Sequence, residues 1–188
     1  MKNVIVYLLG HYGVGKYTVG KQLSALTGAK LVDNHLINNV IFSLLRVDGK
    51  TPLPEAAWDR ILVIREQVIA TIAEIAPREQ SYVFTNMLAE TDEDRALYTA
   101  IVELAEGRGN LFVPVRMSCK EDALDLRIGS PDREERLKHT DAASARDMRR
   151  RIQLLEFAHP HALDLDTTLM TPEYSARHIL SHIEGIRK

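Results

Sequence analysis

The residues that most restrict the fold are the six of "VIVYLL", Val4 to Leu9, an unbroken apolar run that ends at Gly10. A strand with one wet face alternates apolar and polar side chains. A run with no polar member suits a strand buried on both faces, and such strands belong to parallel sheets covered by helices on either side. Next comes "GHYGVGKYT", residues 10–18, followed by Val19, Leu23 and Leu26 at helical spacing, with Gly28 placed for a left-handed cap. The glycine-rich stretch therefore joins a buried strand to a helix.

The same alternation continues along the chain. "KLVD" (30–33) reads as a second strand, and "HLINNVIFSLLR" has helical length. Ile61, Ile64, Val68, Ile72 and Ile75 step by three or four until Pro77 stops the pattern. "SYVFTNML" (81–88) reads as a third strand, and "TDEDRALYTAIVELAEGRG" as a helix with an acidic first turn, as the helix dipole prefers. "NLFVPVRMS" (110–118) is a fourth strand in which Pro114 predicts an edge position or a local irregularity. A helix over about 120–127 leads into "GSPDREERLKHTD", which has no apolar period and reads as a loop or lid. Ala145, Met148, Ile152 and Leu155 predict a further helix, "HALDLD" a last strand, and Pro172 opens a final helix carrying Ile179, Ile183 and Ile186. Strands alternating with helices imply a parallel sheet with helices on both faces.

Bulk composition narrows the function classes. The chain has 188 residues, 45% of them hydrophobic, which suits a single domain over 1–188 with a full core. With 24 Lys+Arg against 26 Asp+Glu the formal charge is -2, so no nucleic acid and no anionic membrane is expected as a partner, and any basic site must be local. Cys119 is alone, and the opening apolar run is too short to span a bilayer and lacks a cleavage site. A cytoplasmic protein, monomer or homodimer, is expected.

Gly10, Gly15 and Lys16 satisfy the first part of G-x-x-x-x-G-K-[ST], in the strand-then-helix setting its mechanism needs. Glycines let successive backbone N–H groups turn inward, the helix N-terminus adds positive potential, and Lys16 reaches terminal phosphates. Tyr17 stands where a metal-binding hydroxyl is usual, and its ring is too large for that slot; it reads instead as a cover over the first helix turn. Thr18 follows one residue later.

With Gly10, Gly13, Gly15, Lys16 and Thr18, the spacing G-x-x-G-x-G-K-x-T resembles the adenylate-kinase-type loop of the P-loop small-molecule kinases, the group that includes adenylate, shikimate and gluconate kinases. The resemblance implies a three-layer P-loop NTPase fold: a five-stranded parallel sheet, a helical acceptor region over about 35–80 and an arginine lid over about 127–140. It implies ATP and Mg2+ as cofactors, with Gly10, Gly13, Val14, Gly15, Lys16, Tyr17 and Thr18 forming the nucleotide loop. Carried over by position, Arg127 would pack on the adenine, and the lid arginines Arg133 and Arg136 would stabilise charge on the transferring phosphoryl group. A solvated loop neutralised by Asp132, Glu134 and Glu135 is the alternative. Lys138 and Arg149 have the separation of the basic residues that face the phosphates in this group, and of Arg149, Arg150 and Arg151 at most one or two can look inward. "DTTLMTP" (166–172), with Thr167, resembles the loop that meets the adenine edge.

Asp33 stands at the carboxyl end of the second strand, where open α/β sheets bind ligands. It could orient or deprotonate an acceptor hydroxyl, hold a metal-bound water together with Thr18, or simply cap the next helix. Shikimate and gluconate kinases have D-x-D here, whereas this chain has Asp33-Asn34-His35, so His35 is a candidate acceptor contact and neither substrate transfers directly. The third strand ends in Thr85-Asn86 with no acid before Glu90 and Asp92; Asn86 either meets the acceptor or closes the strand. The histidines show no metal-ligand spacing.

These readings converge on an ATP-dependent phosphotransferase acting on a small-molecule acceptor, preferably a hydroxyl of a metabolite or antibiotic, bound near the helical segment that carries Arg46, Arg60 and Arg65. A nucleoside monophosphate kinase and an ATP-binding regulatory module are the alternatives. The D-G-x-P-R run of the former is missing, and so is the N-K-x-D motif of common GTPases.

Overall fold

The computed structural model describes residues 1–45, 53–128 and 142–188. Arg46, Arg133, Arg136 and Lys138 lie outside the described residues, as does nearly all of the expected lid. Five strands, β1 (Val4–Leu9), β2 (Lys30–Asp33), β3 (Tyr82–Asn86), β4 (Leu111–Ser118) and β5 (Leu163–Asp166), form one sheet in the order β2-β3-β1-β4-β5. Every neighbouring pair is parallel. The helices are α1 (Lys16–Thr27), α2 (Asn34–Phe42), α3 (Glu55–Glu74), α4 (Asp92–Arg108), α5 (Glu121–Ile128), α6 (Ala142–Arg151) and α7 (Pro172–Ile186).

Strand β1 is central and buried along its whole length, which explains its lack of polar residues. Its side chains alternate between two cores. Val4, Val6 and Leu8 meet Val19 and Leu23 of α1 and Ala176, Ile179 and Ile183 of α7. Ile5, Tyr7 and Leu9 meet Ile72 of α3 and Ile101, Leu104 and Ala105 of α4. A smaller cluster of Ile37, Phe42 and Ile61 joins α2 to α3.

The helix ends follow local chemistry. Thr91 caps α4, its hydroxyl accepting from Asp94 N at 3.2 Å, with Asp92, Glu93 and Asp94 in the first turn. Thr171 caps α7 just ahead of Pro172.

Three expectations are corrected. Strand β4 lies between β1 and β5, so it is not an edge. However, β5 pairs only from Val115 onward, so Pro114 sits where β4 has a partner strand on one side alone and needs no second N–H. The predicted helix over Ala145–Leu155 stops at Arg151. Leu154 instead bridges Ala89, and Leu155 N donates to Leu88 O, carrying Leu155 into the α3–α4 core. Ile75, the last member of the α3 stripe, is 77% exposed beyond the helix end.

Candidate active site

The turn from β1 to α1 builds a cradle. Gly10, Gly13 and Gly15 have φ of 150°, 87° and 92°. At Gly10 the constraint is also spatial, since a Cβ there would lie 2.3 Å from the backbone oxygen of Met117 on β4. The N-terminus of α1 carries no side-chain cap and no acid in its first turn, unlike that of α4. A helix start without a capping side chain or an acid suits an anion. Lys16 curls back over the loop, its Nζ donating to Gly10 O at 2.6 Å and His11 O at 2.8 Å. Thr18 Oγ1 donates to Gly15 O at 2.9 Å and keeps its lone pairs for other contacts.

The loop opens on a cavity of about 570 Å3 at the carboxyl end of the sheet. Gly13, Val14, Gly15, Lys16, Tyr17 and Thr18 line it, together with Asp33, His35, Asn86, Arg127 and Thr167 from elsewhere in the chain. Gly10 shapes the turn without lining the cavity. Asp33 takes the N-cap position of α2 but makes no side-chain cap bond. Its carboxylate, 4% exposed, accepts a short hydrogen bond from Thr85 Oγ1, which in turn accepts from Asn34 N at 3.3 Å. The capping alternative for Asp33 is thereby removed. Strand order explains the pairing, because β2 and β3 are neighbours with Asp33 opposite Thr85.

Arg127 reaches across to the loop after β5, donating to Thr167 Oγ1 at 3.1 Å and Thr167 O at 2.8 Å. The Thr167 hydroxyl lies 2.9 Å from Val14 O, tying that loop to the cradle. Of the three consecutive arginines on α6, Arg149 is the inward one: its side chain is 6% exposed against 77% for Arg151, which pairs with Asp147 on the surface. Arg149 Nη2 donates to Asp125 Oδ1 at 2.9 Å, while Nε and Nη1 are buried without a partner. Its charge is felt at the cradle, where burial, then Lys16 and Arg149, push the His11 imidazole below its usual range. Arg149 does not itself line the 570 Å3 cavity. A second cavity of about 770 Å3 lies behind the loop beside His11 and Arg116, but that guanidinium is engaged by Asp164 and by Phe157 O.

Several cavity residues escaped the sequence reading. Asn38, Phe42, Trp58 and Asp94 line it, and Arg65, expected only as one of several arginines on its segment, is among the described residues the one that does so. Burial raises the Asp94 carboxyl above its usual range, with the Ala89 amide and Arg65 pulling it back, and burial lowers Arg65. Asp94 had one sequence signal, its place three residues after the Thr91 cap, and that signal reads as helix capping. No group of three or more His, Cys, Asp or Glu suited to a metal occurs among the described residues. Thr18 Oγ1 and the Asp33 carboxylate are oxygen donors on this cavity that could meet a metal carried by a nucleotide.

No protein-family model matches the sequence, and no curated relative matches it. Solved structures do. A putative kinase from Chloroflexus aurantiacus superposes with a TM-score of 0.63 at 15% identity, covering 97% of this chain and 99% of that one. A gluconokinase from Sinorhizobium meliloti gives 0.59 at 16%, covering 98% and 93%. A shikimate kinase from Acinetobacter baumannii, in complex with shikimate, gives 0.56 at 19%, covering 98% and 94%. The fold is that of the P-loop small-molecule kinases over essentially the whole chain. No helix among the described residues is long and apolar enough to cross a membrane.

Proposed function

We propose that this chain is an ATP-dependent phosphotransferase that moves the γ-phosphoryl group of ATP to a hydroxyl of a small molecule. One observation carries the reading: the glycine cradle with Lys16 and the buried carboxylate of Asp33 open on the same cavity. A passive nucleotide binder needs the first and not the second. The kinase names of the superposing structures agree with it.

Binding begins with the loop amides and the uncapped α1 N-terminus, which receive the phosphates while Lys16 exchanges its carbonyl partners for phosphate oxygens. Val14 and Tyr17 flank them. Arg127 and the Thr167 loop form the wall for the base. Arg149, whose charge is felt at His11 in the loop, has two unpartnered nitrogens, Nε and Nη1, and a modest movement of α6 would present their N–H donors to a terminal phosphate. Mg2+ entering with the nucleotide would neutralise phosphate charge, with Thr18 and Asp33 holding it through water.

Asp33 orients the acceptor hydroxyl and takes its proton as the acceptor oxygen bonds to the γ-phosphorus. The bond from that phosphorus to the bridging oxygen breaks, and ADP leaves with the electron pair. His35, two residues after Asp33, and Asn86, next to Thr85, line the same cavity and position the acceptor. Arg133 and Arg136 keep the charge-stabilising roles, and Lys138 the phosphate-facing role, that the resemblance gives them. Most of the acceleration comes from positioning and preorganised charge.

The test is ADP release with MgATP against a panel of hydroxyl-bearing acceptors, using Lys16→Ala as control. Loss of a charged hydrogen-bond donor costs about 1.5–3 kcal/mol, so MgATP affinity should fall roughly 10- to 150-fold. Unchanged affinity in Lys16→Ala would remove the cradle from the mechanism.

A further inference from the structure

Resting on the phosphotransferase reading, we propose that the acceptor carries a protonated amine beside its hydroxyl and is held as a dipole between Asp94 and Arg65. Its chemical class is then the amino alcohols, amino sugars and hydroxyamino acids.

Arg65 on α3 and Asp94 on α4 face the same cavity with opposite charges, yet no ion pair joins them. Each is tied to an uncharged partner instead. Arg65 Nη2 donates to Asn34 Oδ1 at 3.2 Å, and Asp94 Oδ2 accepts from Ala89 N at 2.7 Å. That leaves Arg65 Nε buried without a partner, and Asp94 Oδ1 without a donor among the described residues. The Asn38 side chain, 5% exposed on the same wall, has an Oδ1 with no partner either. Arg65 Nε and Asn38 Oδ1 are buried and unengaged, which is costly, so a ligand that completes them binds by relieving that cost.

The inventory favours a ligand that brings donors. Asp94 Oδ1 and Asn38 Oδ1 are acceptors, Asp33 is a third on the transfer side, and Arg65 is the one cation on the acceptor wall among the described residues. An ammonium group with three N–H donors suits this set, while its electronegative end faces Arg65. Among the described residues of this wall, a dianionic monophosphate would meet two carboxylates with one guanidinium to offset them, which opposes a nucleoside monophosphate acceptor. Trp58 and Phe42, packed edge to face with centroids 5.7 Å apart, supply an apolar wall for the carbon skeleton. The raised carboxyl of Asp94 agrees, because a bound cation restores the charge that burial opposes.

Asp94 also has a local structural duty, and the test must separate the two. Asparagine at this position keeps an oxygen for Ala89 N and replaces the other oxygen by an N–H donor, so Asp94→Asn preserves the loop and reverses the polarity offered to the ligand. ADP release would be measured with MgATP and D-glucosamine, N-acetylglucosamine, D-glucose, D-gluconate, L-homoserine, ethanolamine and AMP, with melting temperature as the fold control. The expected result is at least tenfold higher kcat/KM for an amine-bearing probe than for its uncharged or anionic counterpart, and a KM for that probe at least tenfold higher in Asp94→Asn. Preference for gluconate or AMP, or an unchanged KM in Asp94→Asn, would overturn the inference. Failure of every amine-bearing probe while MgATP still binds would overturn it and leave the cradle standing. Absence of MgATP binding would remove the phosphotransferase reading and this inference together.

Discussion

Removing one hydroxyl tests how the site is held. Thr85 is 2% exposed, and its Oγ1 donates to the buried Asp33 carboxylate while accepting from Asn34 N. Thr85→Val keeps the shape, so the cavity contribution is close to zero and the loss is the hydrogen bonding itself. A bond to a charged group is worth about 1.5–3 kcal/mol, partly offset because the mutant buries no hydroxyl; a net loss of about 1–3 kcal/mol follows. At roughly 2–4 °C per kcal/mol for a chain of this size, Tm should drop by about 2–12 °C. Urea denaturation should show the same loss as a lower midpoint with an unchanged slope. Thr85→Ser, which keeps the hydroxyl, should recover most of it. In a cycle with Asp33→Asn the Val substitution should cost about half as much, since the bond is then between neutral groups. An unchanged midpoint in Thr85→Val, or strict additivity with Asp33→Asn, would refute the view that this hydroxyl fixes the carboxylate.

Gly10→Ala places a methyl 2.3 Å from Met117 O and keeps φ at a value side chains rarely adopt, so it should destabilise by about 2 kcal/mol or more in urea; a wild-type midpoint would show that the strand contact yields. Arg149→Met should weaken triphosphate binding by roughly tenfold or more in calorimetry, a charged donor being worth about 1.5–3 kcal/mol, while Arg151→Met changes it little because that side chain is paired at the surface. Equal effects of the two would contradict the assignment of Arg149 as the inward arginine. Burial, then His161, hold His159 below its usual value of 6.5, and its Nδ1 accepts from His161 N at 3.1 Å, so the folded state resists a proton that the unfolded chain takes up. Stability should therefore decline as pH falls through about 6.5, and His159→Asn, which keeps an acceptor, should flatten part of that slope; denaturation midpoints at pH 7.5, 6.5 and 5.5 check this, and an identical slope in the variant would count against it.

The sequence by itself determined the strand, loop and helix of the cradle and the parallel sheet around it. Those features are local: an unbroken apolar run states that both faces are covered, and glycine, lysine and helix start lie within one short stretch. It also placed Asp33, Thr18 and Asn86 at the correct end of the sheet, because strand ends can be read from where the apolar runs stop. It overran where periodicity continued past a helix, as at Ile152 and Leu155, since a 3.6-residue spacing cannot reveal that a chain has turned to bridge Ala89. Only the tertiary structure decided what each side chain faces. Strand order set Asp33 against Thr85 across 51 intervening residues, denying it the capping role that its local position offered. Burial chose Arg149 over Arg150 and Arg151, which are equivalent in composition and differ only by 100° steps around one helix. The opposing charges of Arg65 and Asp94 lie on separate helices packed over the sheet. These partners and the dielectric environment around them are properties of non-local packing, and no window along the chain contains them.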